Sequence, residues 1–213
     1  MKTSVKSFCS VLWNAFLPQN VVLVQALGLC PILAIGVRLQ YGVALSLCTT
    51  AVLIPTALLS SWLNKYVSSK LRPLVYALIA SVLLLAAALV LRQWVSPTIY
   101  AHLYLFLPLM AVNTLFTYRS AGVASANVSC LSTLADSLGT ALGFSLVLCV
   151  TSTLREMAIN GTIWGIPLGY AARFPEAEHP FIGFVLLGFM AAALQWIQQL
   201  LRRRTPEKED LDI

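Results

Sequence analysis

The chain has 213 residues, of which 59% are hydrophobic and only 10% carry a charge. A soluble domain has about a quarter charged residues, so this composition excludes an ordinary cytosolic globule, a disordered chain and a secreted disulfide scaffold. The mean hydropathy of +0.82 instead indicates a protein of the lipid bilayer. The net charge of +6 does not indicate a nucleic-acid partner, because the 14 basic residues stand between long uncharged runs.

Six of these uncharged runs, 18 to 31 residues long, are long enough to cross a bilayer. A membrane-spanning helix needs about 20 apolar residues, and slightly fewer suffice when it is not tilted. The runs predict six spans, near residues 20–37, 41–62, 73–92, 99–117, 132–153 and 180–201. We therefore expect an all-α polytopic membrane protein with a single six-helix domain over residues 1–204 and a polar cytoplasmic tail over residues 205–213.

The basic residues predict how this domain is oriented. Six crossings place both termini on one side, which carries Lys2, Lys6, Lys65, Lys70, Arg72, Arg119, Arg202, Arg203, Arg204 and Lys208. The opposite side carries Arg38, Arg92, Arg155 and Arg173. Because basic residues are enriched in cytoplasmic loops, both termini are predicted to lie in the cytoplasm.

Three crossings in each half predict two inverted repeats, an architecture whose sites often lie at the bilayer midplane between broken helices. The first span of each half contains a proline, Pro31 in span one and Pro108 in span four. Proline removes a backbone hydrogen bond, which inside a membrane requires protein or a cofactor to satisfy the freed groups. Breaks at both prolines are our prediction, and a plain kink, as expected at Pro55, is the alternative.

Five cysteines, an odd number scattered over helices and loops, do not form a disulfide pattern. Cys48 and Cys149 fit the packing role of small apolar residues, and Cys9 and Cys130 fall outside the predicted spans. Cys30 differs, because it lies near the middle of span one and directly precedes Pro31.

Other chemistry is scarce in the sequence. We find no phosphate loop, dinucleotide fingerprint, zinc motif or nucleophile motif, so no catalytic residue is predicted and NAD, ATP and flavin are not expected to bind this chain alone. Asp136 is the one acid in an apolar stretch, where a helix start accommodates it. Gly139 and Gly143 form a close-packing helix face, directed either within the chain or to another subunit.

Three segments carry a resemblance to a known family. Residues 23–34 (LVQALGLCPILA) resemble the signature of the paired membrane subunits of the Rnf complex and of the sodium-pumping NADH:quinone oxidoreductase. Residues 107–119 (LPLMAVNTLFTYR) are similar to the second motif of that family. Residues 153–165 (TLREMAINGTIWG) resemble the E-type subunits rather than the A-type subunits.

The resemblance implies a fold and a cofactor. Two homologous six-helix subunits of opposite orientation share a two-iron two-sulfur cluster near mid-membrane, and each of the two provides two cysteines. In this sequence Cys30 matches the first metal ligand, whereas the second ligand position is Thr114, where threonine replaces cysteine. Gly28, Pro31 and Asn113 are expected to shape the two half-helix breaks around the cluster, and Asp136 matches an acid of the family.

The resemblance also implies partners and an activity. The partners are a homologous A-type membrane subunit and the B, C, D and G subunits of an Rnf complex in a bacterial inner membrane. That complex is an ion-translocating oxidoreductase coupling ferredoxin and NAD chemistry to ion movement, with NAD, flavin and ferredoxin bound by other subunits. Two alternatives stay open: a structural subunit without a working cluster, and a small-solute transporter.

Overall fold

The computed structural model describes residues 2–16, 18, 20–63, 66–68, 71–104, 106–107, 130–167 and 174–204. The helices in these ranges are α1 (Lys2–Phe16), α2 (Leu29–Ile35), α3 (Leu39–Leu63), α4 (Arg72–Trp94), α5 (Pro97–Tyr104), α6 (Cys130–Asn160) and α7 (Pro180–Arg204). Antiparallel strands β1 (Thr162–Ile163) and β2 (Ile166–Pro167) follow α6, and a 3-10 helix, Pro175–Glu178, precedes α7. The described chain is therefore mostly helical, with several turns and one small hairpin.

Four helices in the described ranges are long and apolar enough to cross a membrane. They cover Leu39–Leu63, Arg72–Gln93, Leu131–Asn160 and Pro180–Leu200, and they correspond to four of the six predicted spans. The third of them, α6, ends at Asn160 and not near residue 153 as predicted. The helix continues because the charged side chains of Arg155 and Glu156 are buried and hydrogen-bonded instead of solvated.

The first predicted span, residues 20–37, is not one continuous helix, and its break lies upstream of Pro31, the position at which it was predicted. Residues 21–25 and 27–28 form turns, and the seven-residue α2 begins only at Leu29. The reason is backbone geometry, since Ala26 and Gly28 have φ angles of 54° and 77°, outside the range of a right-handed helix. Pro31 lies in the first turn of α2, where its missing N–H costs little. The break therefore precedes the proline.

The fourth predicted span, residues 99–117, is described only at its start. Helix α5 has eight residues and ends at Tyr104. It therefore extends about 12 Å at 1.5 Å per residue, less than half of a hydrocarbon core of about 30 Å. The predicted break at Pro108 lies outside the described residues. The six spans and the inverted repeat thus stay predictions.

Helices α3 and α6 form the centre of the described fold. They pack against each other, α1 packs along α6, and α4 packs on α3. In their most apolar stretches, 56% of the residues of α3 and of α6 are buried inside the chain, against 17% for α4 and α7. Phe144, Leu45 and Leu148, each at most 1% exposed, belong to the buried apolar core. The outer faces of α4 and α7 remain for lipid or other subunits.

Hydroxyl groups on the buried side of α3 are satisfied within the helix itself. Thr49, Thr56 and Ser60 are each 0% exposed, and each hydroxyl donates to the carbonyl oxygen four residues earlier at 2.6 to 2.8 Å. This bonding pattern removes the penalty of an unpaired hydroxyl in an apolar setting. The polar residues of α3 are therefore compatible with a buried membrane helix.

The glycines of α6 contact α1 within the same chain, which resolves the two alternatives left by the sequence. A Cβ atom on Gly139 would lie 2.5 Å from the Leu12 carbonyl oxygen and 2.8 Å from the Ala15 Cβ. A Cβ atom on Gly143 would lie 2.9 Å from Asn20 Nδ2. Only glycine lets α1 and the following turn approach α6 this closely.

Candidate metal-ligand site

The site begins with the turn segment that replaces the first half of span one. Asn20 is 3% exposed, and its Oδ1 accepts hydrogen bonds from the backbone N–H groups of Val22 at 3.0 Å and Leu23 at 3.3 Å. Its Nδ2 donates to the Phe16 carbonyl oxygen at the end of α1. This side chain satisfies backbone groups that a broken helix leaves unpaired, which is the requirement for irregular backbone at membrane depth.

Cys30 lies at the second residue of α2, directly after this segment. Gly28 precedes the helix with φ 77° and ψ 18°, a left-handed conformation that residues with a Cβ rarely adopt. The Cys30 side chain is exposed on the surface of the chain, whereas Pro31, Ile32 and Leu33 are buried. The backbone turn at Gly28 thus starts a helix that presents the thiol outward and packs Pro31, Ile32, Leu33 and Ile35 inward.

The C-terminal end of α2 is held by Arg155, a residue of α6 that is 0% exposed. Its Nη1 donates to the carbonyl oxygens of Leu33 at 2.9 Å and Gly36 at 3.4 Å. Its Nε donates to the Ala177 carbonyl at 3.1 Å, and its Nη2 to the Glu178 carbonyl at 2.7 Å. The planar, five-donor guanidinium therefore joins α2 to the 3-10 helix before α7.

Glu156, the next residue along α6, holds the start of α3. It is 3% exposed, and its Oε2 accepts a hydrogen bond from the Leu39 N–H at 2.7 Å. Its Oε1 accepts from the Gly165 N–H at 2.9 Å and from the Thr162 hydroxyl at 3.1 Å, which ties the β1–β2 hairpin to the same point. A carboxylate beside the first N–H groups of a helix is also favoured by the helix dipole.

A third residue of α6 completes this contact. Ser152 is 0% exposed and lies against two glycines, since a Cβ atom on Gly42 would lie 2.6 Å from its Oγ and one on Gly36 would lie 3.3 Å from it. Residues three and four apart share one face of a helix. Ser152, Arg155 and Glu156 therefore form one face of α6, which we name the α6 clamp, around the connection between α2 and α3.

Two cavities lie beside the clamp, at the C-terminal end of α2 rather than at Cys30. The larger, about 330 Å³, is lined by Arg38, Gln40, Glu156, Asn160, Thr162 and Gly165. The smaller, about 210 Å³, is lined by Ala34, Ile35, Val37, Arg38, Tyr41, His102, Phe106 and Glu178. These cavities mark the surface next to the α2–α3 connection, and Cys30 occupies the opposite end of the short helix.

The structure brings together three of the predicted site residues. Gly28, Cys30 and Pro31 lie at the start of α2, whereas Asn113 and Thr114 lie outside the described residues. Among the other cysteines, Cys9 is exposed on α1, Cys48 is buried on α3 and Cys149 is half-buried on α6. No group of three or more histidine, cysteine or acidic side chains that could hold a metal ion occurs in the described ranges.

In the described ranges, the start of α2 offers one thiol and not a complete metal site. A thiolate is the ligand that iron–sulfur clusters use, and the Cys30 thiol is accessible from outside the chain. In the same segment, the buried Oε1 of Gln25 has no hydrogen-bond partner within the described ranges. A complete iron–sulfur site at Cys30 would need further ligands from outside the described ranges.

Sequence reasoning missed Asn20 and the roles of Arg155 and Glu156. From the sequence alone, Arg155 and Glu156 are predicted to lie in a loop beyond the end of a span. They also belong to the third of the family-like segments, residues 153–165. The available signal was their position, since they directly follow an uncharged run of 18 residues that continues as helix. A buried arginine and glutamate in such a place need partners, and here most of those partners are backbone groups.

Comparisons with known proteins identify a family. The family described as "Rnf-Nqr subunit, membrane protein" matches residues 8–201. The E subunit of the ion-translocating oxidoreductase complex of Shewanella oneidensis is 31% identical over 216 residues, covering 94% of this chain and 92% of that protein. The protein of the same name from Shewanella piezotolerans is 36% identical over 152 residues, covering 71% of this chain and 65% of that protein.

A third relative, the protein of the same name from Shewanella sp. strain ANA-3, is 30% identical over 218 residues with 94% and 92% coverage. The family match extends over both the turn segment before Cys30 and the α6 clamp. With several helices apolar enough to cross a membrane, the chain is a multi-pass membrane protein. It belongs to the Rnf-Nqr family of membrane subunits.

Proposed function

We propose that this chain is the E-type membrane subunit of an ion-translocating oxidoreductase complex and that it carries electrons across a bacterial inner membrane. The names of its relatives support membership of such a complex. The observation that carries the electron-transfer role is the exposed thiol of Cys30 at the start of a broken membrane helix. An accessible thiol in a broken helix is suited to a metal shared across a subunit interface.

The proposed cofactor is a two-iron two-sulfur cluster shared with a homologous A-type subunit. The chemistry supplied by such a bound cluster is one-electron transfer. Within this chain, Cys30 provides a thiolate ligand, Gly28 sets the backbone turn before it, and Pro31 fixes the first turn of α2. Asn113 is proposed to shape a second break around Thr114.

The proposed architecture is six spans in two inverted repeats, with both termini in the cytoplasm. The four observed long helices support four of these spans, and α2 with the turns before it lies at the first predicted one. The ten-to-four distribution of basic residues supports the orientation. The proposed partners beyond the A-type subunit are the B, C, D and G subunits, which bind ferredoxin, NAD and flavin.

The solute-transporter alternative receives less support from the interior of the chain. The buried charged side chains of the described helices are Arg155 and Glu156, and both are engaged by hydrogen bonds to backbone groups. A transporter or proton relay places ionisable groups along a pathway. These two residues instead stabilise a chain connection.

Threonine at position 114 is the main feature that favours a purely structural subunit as the alternative. A hydroxyl is a poor replacement for a thiolate on iron. We nevertheless favour a perturbed, labile cluster over its absence, because Cys30 and its helix start are retained.

Purification of the complex from membranes through a tag on this chain tests the proposal. Partner subunits should co-purify, and iron with acid-labile sulfide should be present below full occupancy. Thr114→Cys should raise iron occupancy and sharpen the paramagnetic signal of the reduced complex, whereas Thr153→Cys on α6 should leave both unchanged. A chain that purifies without partners would contradict the proposed assembly, and unchanged iron in Thr114→Cys would contradict the ligand position.

A further inference from the structure

Helix α2 is too short to fix its own orientation. It has seven residues, or about two turns, and isolated helices shorter than about 12 to 15 residues are marginal even in favourable sequences. The segment before it is a series of turns and not a helix that could guide it. The position of the Cys30 thiol therefore depends on the contacts that hold the other end of α2.

Arg155 provides the polar part of those contacts. The last carbonyl groups of any helix lack partners within the helix. At the C-terminal end of α2, the carbonyl oxygens of Leu33 and of the following Gly36 accept hydrogen bonds from Arg155 Nη1, at 2.9 and 3.4 Å. The same guanidinium is fixed from its other side by the carbonyls of Ala177 and Glu178. Its position is therefore set by two separate parts of the chain.

The distance from this anchor to the thiol is short. Leu33 follows Cys30 by three residues, which is about 4.5 Å along the helix axis at 1.5 Å per residue. Over less than one turn, a helix moves as a rigid unit, so a shift of the Leu33 carbonyl shifts Cys30 as well. Gly183 of α7 supports the same end, since a Cβ atom there would lie 2.7 Å from Leu33 Cδ2.

We propose that Arg155 is a positioning residue that sets the orientation of α2 and thereby the place of the Cys30 thiol at the subunit interface. The inference rests on the proposed function of Cys30 as a metal ligand. Arg155 does not touch the metal; it acts through the Leu33 and Gly36 carbonyls. Substitution of Arg155, which contacts the opposite end of α2 from Cys30, is therefore expected to change the paramagnetic signal and the midpoint potential of the bound metal.

The test uses the assembled complex and two readouts. Hydrogen exchange of the amides of residues 33–36 reports how firmly α2 is held, and it does so whether or not iron is present. The paramagnetic signal and midpoint potential of the reduced complex report the metal. In Arg155→Gln, we expect exchange of these amides to become about tenfold faster, as for the loss of hydrogen bonds that close a helix end. We also expect the signal to broaden and the potential to shift.

Two further variants make the test specific. Arg155→Lys keeps the charge but lacks the planar fork, so it should show the same changes to a smaller extent, and it decides the question if Arg155→Gln does not assemble. Arg38→Gln is the matched control, because its guanidinium lies over the Tyr41 ring near the same helix end. It should leave exchange of residues 33–36 and the signal as in the wild type.

The outcomes separate the inference from the proposed function. Unchanged exchange in Arg155→Gln, or in Arg155→Lys where only that variant assembles, would overturn the role of Arg155. An equal change of the signal in Arg38→Gln would also overturn it. A wild-type complex without iron would overturn the proposed function, while the exchange measurement would still show whether Arg155 holds α2.

Discussion

Two proline-containing regions of this protein behave in opposite ways. Helix α3 runs without interruption through Pro55 over 25 residues, whereas the first predicted span is broken near Pro31 into turns and a seven-residue helix. The difference does not come from proline itself. The broken region has φ angles of 54° at Ala26 and 77° at Gly28, and it has side chains elsewhere that bond its free backbone groups.

The comparison shows what a break inside a membrane protein requires. Unpaired backbone groups in hydrocarbon are unfavourable, so a break persists only where other groups replace the lost hydrogen bonds. At the first span, Asn20 supplies them at the beginning of the turn segment, and Arg155 and Glu156 supply them at the end of α2 and the start of α3. Substitutions that remove these hydrogen bonds should therefore change the broken region far more than substitution of the proline does.

The largest expected effect is that of Glu156→Gln. The Glu156 carboxylate accepts hydrogen bonds from the backbone N–H groups of Leu39 and Gly165. In the variant, the side-chain NH₂ group would face one of these N–H groups, so that a donor faces a donor. Losing charge-assisted hydrogen bonds at a site 3% exposed should lower the free energy of unfolding by about 3 kcal/mol. Denaturation in mixed detergent micelles measures this loss. Glu176→Gln, at an exposed residue of the 3-10 helix, is the control and should change stability by less than about 0.5 kcal/mol.

An intermediate effect is expected at Gly28. Gly28→Ala places a Cβ on a backbone with φ 77°, and this should destabilise the chain by about 1–2 kcal/mol. Ala26→Gly is the reverse experiment, because Ala26 already has a Cβ at φ 54°. It should be neutral or slightly stabilising in the same denaturation assay. Equal destabilisation by both variants would show that these φ angles do not determine the break.

The smallest effect on the break itself is expected for Pro31→Ala, which sharpens the comparison most. Since Pro31 lies in the first turn of α2, replacing it restores no interior hydrogen bond. The change in unfolded-state entropy costs about 0.4–1 kcal/mol, and the loss of two ring carbons at this buried position adds to that cost. The break should persist, so alkylation of Cys30 by a maleimide should keep its wild-type rate in membranes containing this chain alone. A helix extending back toward residue 20, seen as slower hydrogen exchange of residues 21–27, would identify the proline as the cause.

The sequence predicted the continuous spans well because each depends on a long uncharged run, a local property. It also predicted a break in span one, but it placed the break at Pro31, whereas the structure places it upstream at Ala26 and Gly28. The role of Arg155 could not be predicted, because the carbonyls that it bonds lie about 120 residues away along the chain and any residue provides a carbonyl. For Gly139 and Gly143, the sequence predicted a close-packing helix face but not the helix that packs on it, which is α1.

The central claim is that Cys30 ligates a metal shared with the partner subunit, and Cys30→Ser in the assembled complex tests it most directly. Serine is similar in volume, so the complex should assemble normally. Iron and acid-labile sulfide should nevertheless fall by at least half, and electron transfer through the complex should be lost. Cys9→Ser, which changes an exposed cysteine of α1, should retain both. Full iron content and full electron transfer in Cys30→Ser would contradict the account.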